Sequence, residues 1–199
     1  MFFKQLVRTI SVVLLIFVSL HGPFASAQMH NNGFAVAIID MQEGFYRRGG
    51  TTDSQGLHDL VMNQMKLLEW AVKQQVPVLV FEYQNFGATD PRLMQIIANH
   101  PHQIIQKITD GAFSHPMSKK PAMKILKEWN VDTLIVAGIN GPYCVLETVK
   151  GALQSGFSVM TTSWLIGNIN QNPPTFPNGT WYFNHLKFVV FPTLDSIIQ

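Results

Sequence analysis

Phe34-Ala35-Val36-Ala37-Ile38-Ile39-Asp40 is an unbroken apolar run closed by an acid, and no other feature of the chain narrows its fold as much. It is too short for a core helix and apolar at every alternating position, which fits a parallel strand covered by protein on both faces. Runs of the same kind return at residues 76–82, 133–138, 157–162 and 187–191, and a weaker edge-strand run carrying Lys107 spans 103–108. Helical patterns fill the gaps. Residues 57–73 place Leu60, Val61, Met65, Leu67, Leu68 and Ala71 at helical spacing, and Asp90-Pro91 starts a short helix to Ala98. A third helix, capped by Ser118, runs over 118–129, and Pro142 opens a fourth that continues through Leu153 and closes at Gly156. Strands alternating with helices predict an α/β domain with a doubly wound, mostly parallel, Rossmann-like sheet and helices on both faces.

The N-terminal residues read as targeting rather than fold. Lys4 and Arg8 precede an apolar run over 9–20, and Ala25-Ser26-Ala27 offers a small-x-small cleavage site, so residues 1–27 are expected to be a signal peptide. The run is shorter than the roughly 20 apolar residues that span a bilayer. A mature domain of residues 28–199, periplasmic or secreted and without stable membrane association, is the expectation. Its loss takes two of 14 basic residues and none of 12 acidic ones, which leaves a mature net charge of zero. Without a basic cluster, nucleic acid is not an expected partner. Residues 168–180, rich in Asn, Pro and Gly, read as a surface loop.

The chain holds one cysteine, Cys144. A lone cysteine in an exported chain is either a buried structural residue or a free reactive thiol. Its surroundings favour the second. Gly138-Ile139-Asn140-Gly141-Pro142 is a tight passage from strand to helix, which sets Cys144 in a first helical turn where unpaired backbone N–H groups favour a thiolate. Ligand sites of open parallel sheets lie beyond the carboxyl ends of strands, where strand order reverses. With strand order 3-2-1-4-5, Asp40 and Cys144 face one another there, and Lys107 ends the edge segment. Asp40 raises the thiol pKa by its charge but can also take the thiol proton as a general base.

These segments resemble the isochorismatase-like cysteine hydrolases. The matching stretches are Ile38 to Phe45, Gln106 to Ser114, and Asp132 to Ile139 continuing to Cys144, Val145, Thr148, Ala152 and Gly156. The resemblance implies an Asp40-Lys107-Cys144 catalytic triad in which Cys144 attacks a carbonyl carbon and forms a thioester. It further implies an oxyanion hole from the backbone N–H groups of Asn140 and Cys144 after a cis Ile139–Asn140 peptide, no cofactor, a small-molecule substrate and a homo-oligomer. Phe45, Tyr83, Phe113 and Tyr143, read as loop residues near the site, are candidates for an apolar substrate slot. Gln42 and Glu43 read as a surface turn, with Gln42 also a candidate to assist in the site.

Departures from the family pattern matter as well. Residues 82–89 contain no histidine, so the stretch lacks the metal ligands of nicotinamidases. Gly141-Pro142 reshapes the turn, the family often has an acidic residue near Lys150 in the following helix, and Ser163-Trp164-Leu165-Ile166 replaces an acid-bearing segment. Three functions are therefore weighed: metal-free hydrolysis of a small amide or related C–N bond, a non-catalytic relative that binds a ligand or partner, and hydrolysis of an enol ether. His100, His102, His115 and His185 are the candidates for an alternative Cys-His dyad, although none follows a central strand.

Overall fold

The structure is a computed structural model that describes residues 33–48, 55–167 and 187–199. The predicted signal peptide, the predicted loop at 168–180 and His185 lie outside the described residues. Among the described residues seven strands form one sheet: β1 (Phe34–Ile39), β2 (Val78–Tyr83), β3 (His102–Lys107), β4 (Thr133–Ile139), β5 (Ser158–Thr162), β6 (Ile166–Gly167) and β7 (Phe188–Phe191). Their order is β3-β2-β1-β4-β5-β7, with β6 paired to the end of β4. All these pairings are parallel. The predicted doubly wound order is thus present, and β1 and β4 meet at its switch point with Ile39 opposite Gly138.

Among the described residues six α-helices accompany the sheet: α1 (Glu43–Arg48), α2 (Gln55–Lys73), α3 (Pro91–Ile97), α4 (Pro116–Glu128), α5 (Leu146–Gln154) and α6 (Asp195–Ile198). Side chains alternate across a strand, and here both faces are covered. Val36 and Ile38 of β1 and Val78 and Val80 of β2 pack with Leu60, Leu67 and Leu68 of α2. Ala35, Ala37, Ile39, Leu79 and Phe81 pack on the other side with Ala122 and Leu126 of α4 and Val149 and Ala152 of α5. Each of the larger side chains, Val, Leu, Ile or Phe, contributes about 1.5–3 kcal/mol when fully buried, so β1, β2 and β4 form a rigid base for whatever follows their last residues. β3 is an edge strand that buries Ile105 and Lys107 and exposes Ile104.

Three local expectations change. α4 starts at Pro116, with His115 as its cap accepting the Met117 N–H at 3.2 Å. Ser118 is buried inside the first turn and donates to the His115 carbonyl at 3.3 Å. Residues 43–48 form α1 rather than a loop; six residues are too few to display a helical period in sequence. Before α5 the chain makes a π-helical turn, Gly141–Val145, so the predicted fourth helix is two pieces. No described helix is long and apolar enough to cross a membrane.

Candidate active site

Three strand ends converge. Asp40, the first residue beyond β1, has φ 52, a left-handed conformation that short polar side chains tolerate better than branched ones. Its N–H donates to the Phe81 carbonyl at 3.0 Å, which ties it to β2. Lys107, the last residue of β3, brings Nζ to 2.7 Å from Asp40 Oδ2, and both side chains are 0% exposed. The same ammonium donates to the Thr109 and Asp110 carbonyls, each at 3.1 Å. Two of its protons thus meet carbonyl oxygens, and the Asp40 carboxylate faces it as an ion pair. It also sits over the Tyr83 ring, 4.3 Å from the centroid.

The third arm comes from β4. Gly138 has φ +145, and a Cβ there would overlap the Ile39 carbonyl oxygen, so only glycine lets β4 close against β1 at this level. The Ile139–Asn140 peptide is cis. The π-helical turn then carries Cys144 inward, leaving it 3% exposed. Val145 N–H bonds the Asn140 carbonyl at 3.1 Å, and Leu146 N–H bonds that of Gly141.

Burial raises the Asp40 carboxyl from 3.8 to about 6, against the opposing pull of Lys107 and the Cys144 thiol. Neither Asp40 oxygen has a well-directed hydrogen-bond partner, so the Lys107 contact is an ion pair that leaves the carboxylate able to accept a proton. Cys144 is pushed up as well, first by burial and then by Asp40, with Lys107 acting the other way. This corrects the thiolate expected from sequence. The turn amides and Lys107 were weighed there, but the ammonium is committed to Asp40 and the sulfur is buried among carboxylates, so the resting group is a thiol.

One of those carboxylates was not foreseen. Asp110 Oδ1 accepts from Cys144 Sγ at 3.8 Å, and Asp110 is exposed. Its place three residues after Lys107 was visible, but nothing in sequence shows that the loop turns back over the thiol.

A family model for the isochorismatase domain matches residues 34–173. The chain belongs to the isochorismatase family. No curated protein matches its sequence, but solved structures share its fold. A MAR1 ribonuclease from Caenorhabditis elegans is 20% identical, with a TM-score of 0.67 over 84% of this chain and 80% of that one. A YcaC from Pseudomonas aeruginosa, solved with hexane-2,5-diol and covalent acrylamide, is 19% identical, with a TM-score of 0.67 over 88% and 83%. The nicotinamidase SaPncA from Staphylococcus aureus is 16% identical, with a TM-score of 0.63 over 79% and 98%. This isochorismatase-family chain therefore has the fold of those hydrolases.

Around the site, the isochorismatase-family chain departs from the sequence expectations in several places. Gln42, read as part of a surface turn, is wholly buried. Its Nε2 donates to the Tyr83 carbonyl at 3.1 Å and to that of Gly87, and its Oε1 accepts the Tyr83 N–H at 2.7 Å. Glu43 beside it is exposed. Phe45 lies on α1 rather than a loop, stacked on Phe86 at 4.3 Å and edge-on to Tyr83 at 6.1 Å. Tyr83 closes β2, and its hydroxyl donates to the Ile108 carbonyl at 2.9 Å. Tyr143 is 59% exposed. Phe113 is packed in the core near Phe81 and Phe157, at 6.0 and 5.9 Å, and also bounds a cleft of about 400 Å³ with Lys119, Glu147 and Lys150.

None of the described dyad candidates is seen to pair with the thiol. His100 Nε2 meets the Val76 carbonyl at 2.6 Å, and His102 opens β3, at the opposite end from Lys107. His115 is occupied as a helix cap. In the 82–89 stretch Glu82 accepts from the Thr89 N–H and hydroxyl at 2.8 and 2.9 Å and from Gln106 Nε2 at 2.7 Å. Among the described residues no three His, Cys, Asp or Glu side chains gather as metal ligands. Lys150 pairs with Glu147 at 2.7 Å.

Proposed function

We propose that this chain is an exported hydrolase that cleaves a small amide or related C–N bond through a thioester on Cys144, without a metal. The observation that carries the reading is the fully buried Asp40–Lys107 pair at 2.7 Å, beside a thiol whose titration it perturbs. A buried pair costs desolvation that a hydrophobic pair would not, so its presence at a strand-end switch point is better explained by chemistry than by stability.

In this reading Asp40 accepts the Cys144 proton as Sγ bonds to the carbonyl carbon. The oxyanion is held by the backbone N–H groups of Asn140 and Cys144, where one donor is typically worth about 3 kcal/mol of barrier. Collapse breaks the C–N bond, with the proton passing from Asp40 to the leaving nitrogen. Water then attacks the thioester, giving its proton to Asp40, and the thiol is restored. Lys107 keeps Asp40 ionised and in place, while Tyr83, Phe45 and Phe86 supply an apolar wall. The covalent acrylamide in the Pseudomonas YcaC is compatible with a fold that presents a nucleophile to small amides. Assembly with further copies of the chain belongs to the same proposal, and light scattering of the purified protein tests it.

The test is incubation with a panel of small carboxamides and esters, followed by intact-mass detection of an acyl adduct and by assay of the released amine. Adduct and turnover are both lost in Cys144→Ala under this reading. Turnover that survives that substitution sinks it. The near-complete burial and raised pKa of Cys144 favour one other reading, a non-catalytic relative in which the sulfur is inert. A panel yielding no adduct and no turnover, with a folded protein, selects that alternative.

A further inference from the structure

Among the described residues, one carboxylate beside the thiol has no ion-pair partner. Asp40 and Lys107 form a pair of opposite sign at 2.7 Å, so at a distance their fields largely cancel. Glu147 and Lys150, on the neighbouring helix, cancel in the same way. Asp110 is left over: an exposed carboxylate whose Oδ1 lies 3.8 Å from Cys144 Sγ. Among the described residues its side chain makes no other hydrogen bond.

The loop that carries it is pinned from both sides. The Thr109 and Asp110 carbonyls accept from the buried Lys107 ammonium. The Ala112 N–H donates to Thr148 Oγ1 at 3.0 Å, and Thr109 Oγ1 donates to the Gly111 carbonyl at 3.2 Å. Gly111 lies so close to α5 that a Cβ there would stand 2.9 Å from the Glu147 carbonyl oxygen. So constrained a backbone sets where the Asp110 side chain starts, and its Oδ1 lies 3.8 Å from the sulfur.

We propose that Asp110 is a specificity residue that makes the approach to Cys144 selective for neutral or cationic molecules and turns away anions. Under the hydrolase reading, on which this rests for its substrate, the acyl group carries an ammonium or other N–H donors near the scissile carbonyl and no carboxylate.

Because Cys144 is the only cysteine, the selectivity can be read without turnover. The probes are two methanethiosulfonates, one bearing a trimethylammonium group and one a sulfonate. Each forms a disulfide with Cys144 and releases methanesulfinate, and each rate is divided by that for a free small thiol at the same pH. A unit charge about 5 Å away in a largely aqueous setting gives opposite energies to the two probes, which predicts a normalised cation-to-anion ratio of roughly ten.

Asp110→Asn should bring that ratio close to one, and Asp110→Glu should keep it. Removing the carboxylate also eases thiol ionisation, but that moves both rates together, and so would a merely structural role; the ratio isolates selectivity. A ratio near one in the native protein, or one that Asp110→Asn leaves unchanged, overturns this proposal and leaves the hydrolase reading standing. Failure of both probes to reach Cys144 in the folded protein overturns both.

Discussion

Replacing Lys107 by methionine keeps the side-chain volume but removes the cation in contact with Asp40. Burial holds Asp40 at about 6 in the folded chain against 3.8 as its ordinary value. Its folded pKa is raised, so ionising it opposes folding. The penalty is absent below the unfolded pKa, grows as pH rises from about 4 to 6, and is complete above, where it amounts to about 3 kcal/mol. Without Lys107 the pull that lowers the folded pKa is gone and it rises further, so Asp40 continues to lose folding free energy at about 1.4 kcal/mol per pH unit beyond pH 6. The two proteins should differ by a constant at pH 5, where Asp40 is protonated in both folded forms. That difference should widen by about 2–3 kcal/mol by pH 8. Urea unfolding followed by tryptophan fluorescence at pH 5, 6, 7 and 8 measures it. A gap that stays flat across this range would falsify the claim that Lys107 sets the protonation state of Asp40, whatever the size of the constant offset.

Other outcomes follow from the same contacts. Gly138→Ala should destabilise by more than about 3 kcal/mol or prevent folding, because it forces a side chain at positive φ into the Ile39 backbone; recovery of soluble protein with native unfolding behaviour tells against the close β1–β4 contact. Gln42→Ala leaves the Tyr83 N–H and carbonyl without their side-chain partner and should cost about 2–4 kcal/mol, read as a shift in urea midpoint that Gln42→Glu does not restore, since a carboxylate cannot donate to the two carbonyls. Iodoacetamide at pH 7 should label Cys144 at least tenfold more slowly than a free small thiol, because burial and Asp40 hold the proton on sulfur; labelling faster than the free thiol contradicts the raised pKa. If turnover is found, its rate should rise with pH through an apparent pKa near 6, the folded value for Asp40, as a base must be ionised to act. A profile unchanged in Asp40→Asn removes that residue from the chemistry.

The fold was legible because its strands are covered on both faces, which writes them into the sequence as continuous apolar runs; β1 and β4 show this best. The order of those strands, and so the meeting of Asp40 with the Cys144 turn, followed from general rules for parallel sheets. What the chain concealed depends on distance in space. Gln42 looks like a turn residue because its partners, Tyr83 and Gly87, are some forty positions away. Asp110 looks solvated until the loop closes over the thiol. Helix α1 is too short for a period, and β6 is two residues that take their partner from β4 once β5 has diverged. The protonation of Cys144 was misjudged for a related reason. Local sequence reveals a helix start, whereas burial is a property of everything packed around it.

A neutral thiol beside a carboxylate at about 6 is consistent with a nucleophile, provided the proton moves only when substrate is present. In the free protein, transfer from sulfur to Asp40 runs uphill, since the thiol is raised and the carboxyl, although raised too, remains the weaker base. Under the proposed mechanism a carbonyl carbon accepting the sulfur's electrons removes that obstacle, because the negative charge would leave the sulfur for an oxygen held by the proposed backbone N–H donors. The two carboxylates that disfavour a resting thiolate would then favour its departure toward the electrophile. They also hold the lone cysteine in its unreactive form, since a standing thiolate is the species most readily lost to oxidation.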